Sequence, residues 1–483
     1  MALSLSLSLF LANCSSGPAV DGATLSTEPN VIVFMTDDQT LEQMRFLPNV
    51  EQLIGDQGTT FLNMVVNDSD CCPSRATFLT GQESHNHGVI WNSPPTGGYA
   101  SFKNQETTLP VAMQSAGYQT IFVGKYLNRY GERVPEDRQV PPGWADFHGL
   151  IWPSESAYYG SSFVDNGSVT DTSDTSYYSY EITSRVIDSI KKSKGNGKSF
   201  FAWVGYQAPH ALAGVTLKEY QADEKSILRL FNLDAYPVPE VKYRDTQKDL
   251  ALPEDPSFNE TTILDKAKVN QRGALTDQDI NQIGEFYRAG AESLRSVDDS
   301  VKEIMDFLKT ENLLTNTYVF FTSDNGLFYG EHRFTTGKYL PFRPSRSVPL
   351  LVSGPGIPKG RVSKSMVSNV DFAPTIADIA NVKLLRRPDG LSLLPELLGS
   401  DSLFLGRSIY LEGHAPQGRL ILPFEGIVTS TYLYYVFSNG ESEYYDLDAD
   451  YYELDNLVHS DPDNPKIQVA RDELERHRNA PKD

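Results

Sequence analysis

"NVIVFMTDDQ", residues 30–39, decides the fold class. A continuous apolar run led by β-branched residues is the pattern of a strand buried on both faces, and this one breaks directly into Asp37 and Asp38. Three further stretches follow the same plan. "TLPVAMQSAGYQTIFVGKY" (108–126) reads as a helix stopped at Gly117 and then a strand that runs out at Lys125. "KSFFAWVGYQAPH" (198–210) is a buried strand leading to His210, and "NTYVFFTSDNG" (316–326) is another, with Asp324 and Asn325 at its exit. Helical segments lie between them. The clearest runs over 277–308, where Val297, Val301, Ile304 and Leu308 share one face. Alternating strands and helices predict an α/β fold, a large and mostly parallel sheet flanked by helices.

From about residue 400 the pattern changes. "GRSIYLEG" (406–413) and "GIVTSTYLYYVFS" (426–438) read as short strands, and "KIQVARDELERHR" (466–478) as a terminal helix. The expected organisation is a leader over 1–28, a catalytic α/β domain over 29–400 and a small C-terminal domain with an antiparallel sheet over 401–483. The first twenty residues hold an apolar stretch too short to span a bilayer, so they read as an export signal, one without the basic residue that usually opens it, and the chain as secreted or otherwise extracytoplasmic, lysosomal or extracellular if eukaryotic, with no transmembrane segment. A lipid anchor at Cys14 is the alternative. Sequons at Asn67, Asn166 and Asn259 would carry glycans only in a eukaryotic secretory pathway, making the chain a glycoprotein there.

The formal net charge of −21 excludes nucleic acid and anionic membranes as broad partners, because the long-range field repels both. The chain has three cysteines, and once the leader is gone only the adjacent Cys71 and Cys72 remain, which leaves no ordinary structural disulfide.

The polar residues at the strand exits are not scattered. Asp37, Asp38, Lys125, His210, Asp324 and Asn325 all follow the C-terminal ends of expected strands, the edge of an open α/β sheet where ligands bind. Three carboxylates and an amide suit a hard divalent cation, Ca²⁺ before Mg²⁺, and do not suit zinc. A cation flanked by Lys125, His210 and the basic stretch "HRFTTGKYLPFRPSR" (332–346) makes an anion pocket for a compact group such as sulfate or phosphate. Cleaving such an ester requires roughly 20 kcal/mol or more of transition-state stabilisation, against about 0.3–2 kcal/mol from a helix N-terminus, so a metal and cationic side chains must carry much of the rest.

The missing nucleophile points to "DCCPSRATFLTG" (70–81). This stretch resembles the C-x-P-S-R…T-G signature of type I, formylglycine-dependent sulfatases, joined in family order by "TDDQ", "GKYLNRYG", "APH", "TSDNG", "GK" and "EYYDLDADYYELDNL" over roughly residues 30–460. The paired cysteines, "GKYLNRYG" and "HNHGV" (85–89) look most like N-acetylglucosamine-6-sulfatases acting on sulfated glycans. The resemblance implies the alkaline-phosphatase-like sulfatase fold, bound Ca²⁺, and conversion of Cys71 to Cα-formylglycine by a formylglycine-generating enzyme that reads Pro73 and Ser74. A hydroxyl of the hydrated aldehyde would attack the sulfate ester and displace the alcohol. The second hydroxyl would then lose its proton and expel sulfate.

By position, the resemblance makes Asp37, Asp38, Asp324 and Asn325 metal ligands together with residue 71, and Arg75 the group that holds the formylglycine hydrate. Lys125 and Lys338 would contact sulfate, and His210, with Lys338 as alternative, would protonate the leaving oxygen. Asn128 and His87 complete the expected substrate-binding set. His85 and His87 either line the sugar pocket or cap the helix near Cys71, and His332 also faces the pocket in this reading. Two departures stand out: Leu127 occupies a position that is often histidine, and Phe342 is followed by Arg343 where the family often has glutamate, which implies either a solvated arginine or a substrate with an additional negative charge. The rival readings are a phosphodiester or phosphonate monoester hydrolase of the same superfamily and a silent glycan-binding homologue.

Overall fold

The computed structural model describes residues 28–153, 157–211, 236–400, 404, 406–414 and 421–479. Residues 1–27 of the expected leader, Cys14 among them, lie outside the described residues. Strands β1 (Asn30–Asp37), β2 (Gly58–Val65), β3 (Gln119–Gly124), β4 (Asp146–Leu150), β5 (Ser162–Asp165), β6 (Ser168–Asp171), β7 (Phe200–Pro209), β8 (Thr317–Ser323), β9 (Leu350–Ser353) and β10 (Arg361–Ser368) build one ten-stranded sheet. Its order is β10-β2-β9-β8-β1-β7-β3-β4-β5-β6. The centre, β8-β1-β7-β3-β4, is parallel throughout. Antiparallel pairing enters through β9 on one side and β5 and β6 on the other.

The apolar run that opens the sequence behaves as a doubly buried strand should. Val31, Val33 and Met35 enter one core, with helices α1 (Cys71–Thr80), α2 (Leu109–Ser115) and α5 (Phe372–Ile379). Ile32 and Phe34 enter the other, under α3 (Tyr178–Gly195) and α4 (Asp277–Thr310). Trp203 and Val204 of β7 divide in the same way. Helix α4 is set at its start by a capping box, in which Thr276 and Asp279 satisfy each other's backbone N–H groups.

A second sheet, antiparallel, runs β11 (Ile409–Gly413), β12 (Phe424–Val428), β13 (Tyr432–Phe437) and β14 (Ser442–Asp446). One face packs Leu411, Phe424 and Tyr435 against Phe328, Phe334 and Phe342 of the long loop after β8. The other face lies under α6 (Pro465–Arg478). The loop is thus clamped between the sheets, and it carries Lys338. Arg407 adds a bidentate tie, donating to both oxygens of Asp371 at 2.7 and 2.8 Å. Of the sequons, Asn67 is buried, with its amide N–H directed at Glu412 and its backbone N–H at Asn369, so the folded chain presents no glycan acceptor there.

At the outer edge, His148 lies between Asp146, 3.0 Å away, and Asp165, 2.7 Å away. Arg185 and Lys192 face the same two carboxylates and Ser189 the same ring. Burial alone would push the imidazole down, but its hydrogen bonds to the two carboxylates outweigh it and raise the value above 6.5. A raised histidine contributes stability that is complete below the unfolded value and is lost as pH climbs through the folded one. Urea midpoints should therefore fall from about pH 6.5 upward, and His148→Gln should flatten that slope. An unchanged slope in the variant would assign the effect to another group.

Where β3 ends, Gly124 pairs with Gly205 in the middle of β7. Gly124 has φ of +113°, and a Cβ there would sit 2.0 Å from the Gly205 carbonyl oxygen. Gly124→Ala should destabilise the chain by about 1–3 kcal/mol or more in chemical denaturation, and a wild-type midpoint would show that these strands can separate there.

Candidate active site

Helix α1 presents Cys71 at its first turn, and all ten of its residues are buried. Asp70 caps it, its Oδ1 accepting from the Cys71 N–H at 3.0 Å. Gly81, in the left-handed conformation, ends it. Asn92 braces the start: its amide N–H donates to Asp70, and its Oδ1 accepts from the Cys72 N–H at 2.8 Å. Arg75 lies one turn beyond Cys71 on the same face. Its Nε donates to Asp324 Oδ2 at 2.7 Å, its Nη2 to Asp37 Oδ2 at 3.2 Å and its Nη1 to the Lys125 carbonyl at 2.6 Å. One guanidinium therefore fastens the ends of β8, β1 and β3 to the helix. Ser74 adds a bond to the Asp324 carbonyl at 2.5 Å and accepts one from Asn369 at 3.1 Å.

Asp37 is the last residue of β1 rather than the first beyond it, at a bulge in the pairing with β7. Asp38 follows with φ of +65°, and its N–H donates to Asp324 Oδ1 at 3.3 Å. The side-chain oxygens of Asp37, Asp38 and Asp324 come within 4.8 Å of one another. Asn325 joins them, its amide N–H 2.6 Å from Asp38 Oδ1. Lys338 reaches in from the clamped loop, with Nζ 2.5 Å from Asp38 Oδ1, 3.2 Å from Asn325 Oδ1 and 2.6 Å from Cys71 Sγ. Lys125 pairs with Asp37. His210 Nε2 is 3.8 Å from Asp38 Oδ2, while Nδ1 lies 2.6 Å from the Ala211 carbonyl. That carbonyl can only accept, which puts the neutral ring's proton on Nδ1 and leaves Nε2 bare.

The charges are tightly set. Burial pushes the Asp37 carboxyl up, but Lys125, His210 and Arg75 hold it well below the ordinary carboxylate range. Burial, aided by the Asp37 charge, raises Asp324 to about 6. His210 is held down by burial and by Lys125. Burial and Asp37 also push the Cys71 thiol up, so the unmodified side chain stays protonated and is a weak nucleophile in this pocket. Lys338 is buried, yet Asp38, and behind it Asp37, keep it charged.

The donor set fits a hard divalent cation. Three carboxylates and an amide oxygen converge, and an ammonium group already rests on Asp38 and Asn325. Three buried carboxylates face Arg75, Lys125 and Lys338, so the site is balanced by its own side chains. A bound dication makes it strongly positive, and an anionic ligand restores the balance.

The structure thus brings Asp37, Asp38, Cys71, Arg75, Lys125, His210, Asp324, Asn325 and Lys338 together. It does not bring in His87, whose buried ring spends Nε2 on Thr77 at 3.0 Å and Nδ1 on the Val89 N–H at 3.1 Å. That expectation is corrected: burial also pushes His87 down to about 3, and it braces the back of α1 as an uncharged ring. His85 turns to Glu412, 3.0 Å away. His332 stacks on Phe342 and bonds Glu260 at 2.8 Å. Leu127 points into the apolar core, and Asn128 is buried, making no hydrogen bond to Cys71 or Lys338 among the described residues. Asn92 and Asn369 were not singled out in the sequence. The aspartate directly before a helix start was a readable signal for the cap, but no local pattern marks a brace from residue 92.

Residues 29–382 match the sulfatase family, and residues 330–480 match the N-sulphoglucosamine sulphohydrolase C-terminal family. The chain is 33% identical to the human (Homo sapiens) N-acetylglucosamine-6-sulfatase over 434 residues, 86% of this chain and 72% of that protein. It is 32% identical to an arylsulfatase of Volvox carteri over 77% of this chain and 59% of that protein. A solved protein in complex with its substrate D-glucosamine-2-N,6-O-disulfate superposes with a TM-score of 0.72 at 24% identity, over 94% of this chain and 98% of that one. The phosphonate monoester hydrolase of Agrobacterium radiobacter superposes with a TM-score of 0.66 at 19% identity, over 93% and 96%.

Because Arg75 is the common partner of two buried carboxylates, Arg75→Met should cost about 3–5 kcal/mol in urea denaturation of the metal-free protein. Unfolding at the wild-type midpoint would show that Asp37 and Asp324 are held by other means.

Proposed function

The chain belongs to the sulfatase family, and from that premise we propose that it hydrolyses a sulfate ester of a carbohydrate, using residue 71 oxidised from cysteine to formylglycine beside a bound calcium ion. The observation that carries the reading is the place of Cys71: at the buried start of α1, 3.4 Å from Asp37 Oδ1 and 2.6 Å from Lys338 Nζ, within the C-C-P-S-R sequence. When present, formylglycine supplies a hydroxyl nucleophile and calcium supplies charge against the sulfate oxygens.

The residues of this chain do the rest. Asp37, Asp38, Asp324 and Asn325 hold the cation, and Arg75 fixes two of those carboxylates. Lys125 and Lys338 bind sulfate oxygens and offset the charge that develops as the ester bond breaks. His210 carries a proton at Nε2 to the leaving sugar oxygen, because a bound anion opposes the burial that otherwise keeps the ring neutral. Asp37 Oδ1 lies beside residue 71 as a proton acceptor. The protonated thiol of the unmodified chain explains why cysteine itself would serve poorly.

A glucosamine-type sulfated glycan is the substrate class we favour, supported by the N-acetylglucosamine-6-sulfatase relatives and by the disulfated glucosamine in the structural neighbour. Export, with the leader removed, rests on the short apolar stretch of the leader; no described helix is long and apolar enough to cross a membrane. Phosphonate ester hydrolysis is the second reading, favoured by the shared fold with the Agrobacterium enzyme, and matched aryl sulfate and aryl phosphonate substrates discriminate the two.

Peptide mass spectrometry of natively produced protein should find the loss that accompanies CH₂SH becoming CHO at Cys71. Cys71→Ala should reduce sulfate release below detection while Cys72→Ala retains most of it, and chelation should abolish activity that added Ca²⁺ restores. An unmodified thiol in fully active protein, or equal losses in both variants, would sink the mechanism.

A further inference from the structure

A cavity of about 290 Å³ opens between the segment after β1, the loop around Tyr329–Arg343 and the turn at Tyr451–Glu453 beyond β14. Its walls continue the segments that build the site. Thr40 and Leu41 closely follow Asp38, and Arg343 follows Lys338 on the clamped loop. Tyr287, Tyr329, Tyr451 and Tyr452 line it, and the volume is at the lower end for small-ligand pockets, room for one sugar ring.

The acids in this wall are already engaged. Glu42 pairs with Arg45 at 2.8 Å and accepts from the Tyr287 hydroxyl. Glu453 pairs with Arg346 at 2.7 Å and accepts from the Arg343 N–H at 2.8 Å. Glu331 accepts from the Tyr329 N–H at 2.6 Å, and Asp255 faces the Tyr452 hydroxyl at 3.5 Å. Arg343 is the exception. Its guanidinium lies 3.8 Å over the Tyr451 ring, and among the described residues no carboxylate comes within ion-pair distance of it and no side chain or carbonyl accepts from it. A guanidinium offers five N–H donors in a planar fork that matches an acid group, and partly buried donors left without acceptors are costly.

We propose that this cavity is a subsite for a neighbouring sugar of the glycan, one that carries an acid group, a sulfate or a uronate, held by Arg343. The inference rests on the carbohydrate sulfatase reading and deepens it. The Tyr451 and Tyr452 side of the cavity packs the ring, and Arg343 recognises the acid. The enzyme then reads a glycan at two places, the sulfate being removed and an acid that stays.

The test is initial-rate kinetics of the mature enzyme and its Arg343→Ala variant on a monosaccharide sulfate and on disaccharides that add a neighbour bearing either a second sulfate or a uronate. The variant should raise KM for a disaccharide about tenfold or more with kcat unchanged, while monosaccharide kinetics stay within about twofold. The disaccharide that suffers the larger loss identifies the acid. Arg343→Gln, which keeps much of the stem over Tyr451, serves if the alanine variant melts early. Equal losses on all substrates, or none on any, overturn the subsite. Calorimetric titration of the unmodified chain with the same disaccharides separates the subsite from its premise. Affinity lost in the variant, with no sulfate released by either mature protein, keeps the subsite and defeats the sulfatase reading; equal affinity defeats the subsite.

Discussion

The three contacts of the Arg75 guanidinium are the constraint on which the rest of the site depends. It lies at zero exposure and touches Asp37, Asp324 and the Lys125 carbonyl, one group from each of three strand ends. Buried carboxylates without a partner would take up protons or pull the strand ends apart. With the arginine present they stay close, Asp37 turning its other oxygen to Cys71 and Asp324 its other oxygen to the Asp38 N–H. Helix α1 thereby both carries Cys71 and supplies the counter-charge that holds the buried carboxylates together.

A second layer of order comes from the small C-terminal sheet. Phe328, Phe334 and Phe342 anchor the loop after β8 in the apolar core beneath β11–β14, and the Arg407–Asp371 tie fixes the segment that leads into that sheet. Lys338 therefore stands on a loop with the rigidity of a packed element. Positioning an ammonium within hydrogen-bond reach of three different groups needs such support, because a flexible lysine stem otherwise spreads its charge over many rotamers.

Much of this was legible in the sequence for a physical reason. Strands buried on both faces leave a continuous apolar signal, and polar residues at their exits stand out against it, so Asp37, Lys125, His210 and Asp324 could be read one stretch at a time. The "CCPSR" stretch added Cys71 and Arg75 by resemblance. What failed was inference from residue type alone. His87 sits close to Cys71 in sequence, but a short helix turns it to the back of α1, where Thr77 uses its ring. Leu127 shows the converse, an apolar side chain entering the core where a histidine was the familiar choice. Asn92 and Asn369 reach the site through long connections, and nothing local in a sequence records which amide will meet which cap.

The complete burial of α1 also sets an order of events in the life of the chain. Once the helix has packed between Trp203, Phe372 and the core beneath the sheet, no outside protein can grip the backbone around residues 71–75. Any partner that alters Cys71 must act while the chain is still open, so chemistry at this cysteine and closure of the core are competitors in time. Sequence changes that hasten packing, even far from the site, would then yield more folded protein with less of it altered at Cys71, and slower collapse would favour the opposite.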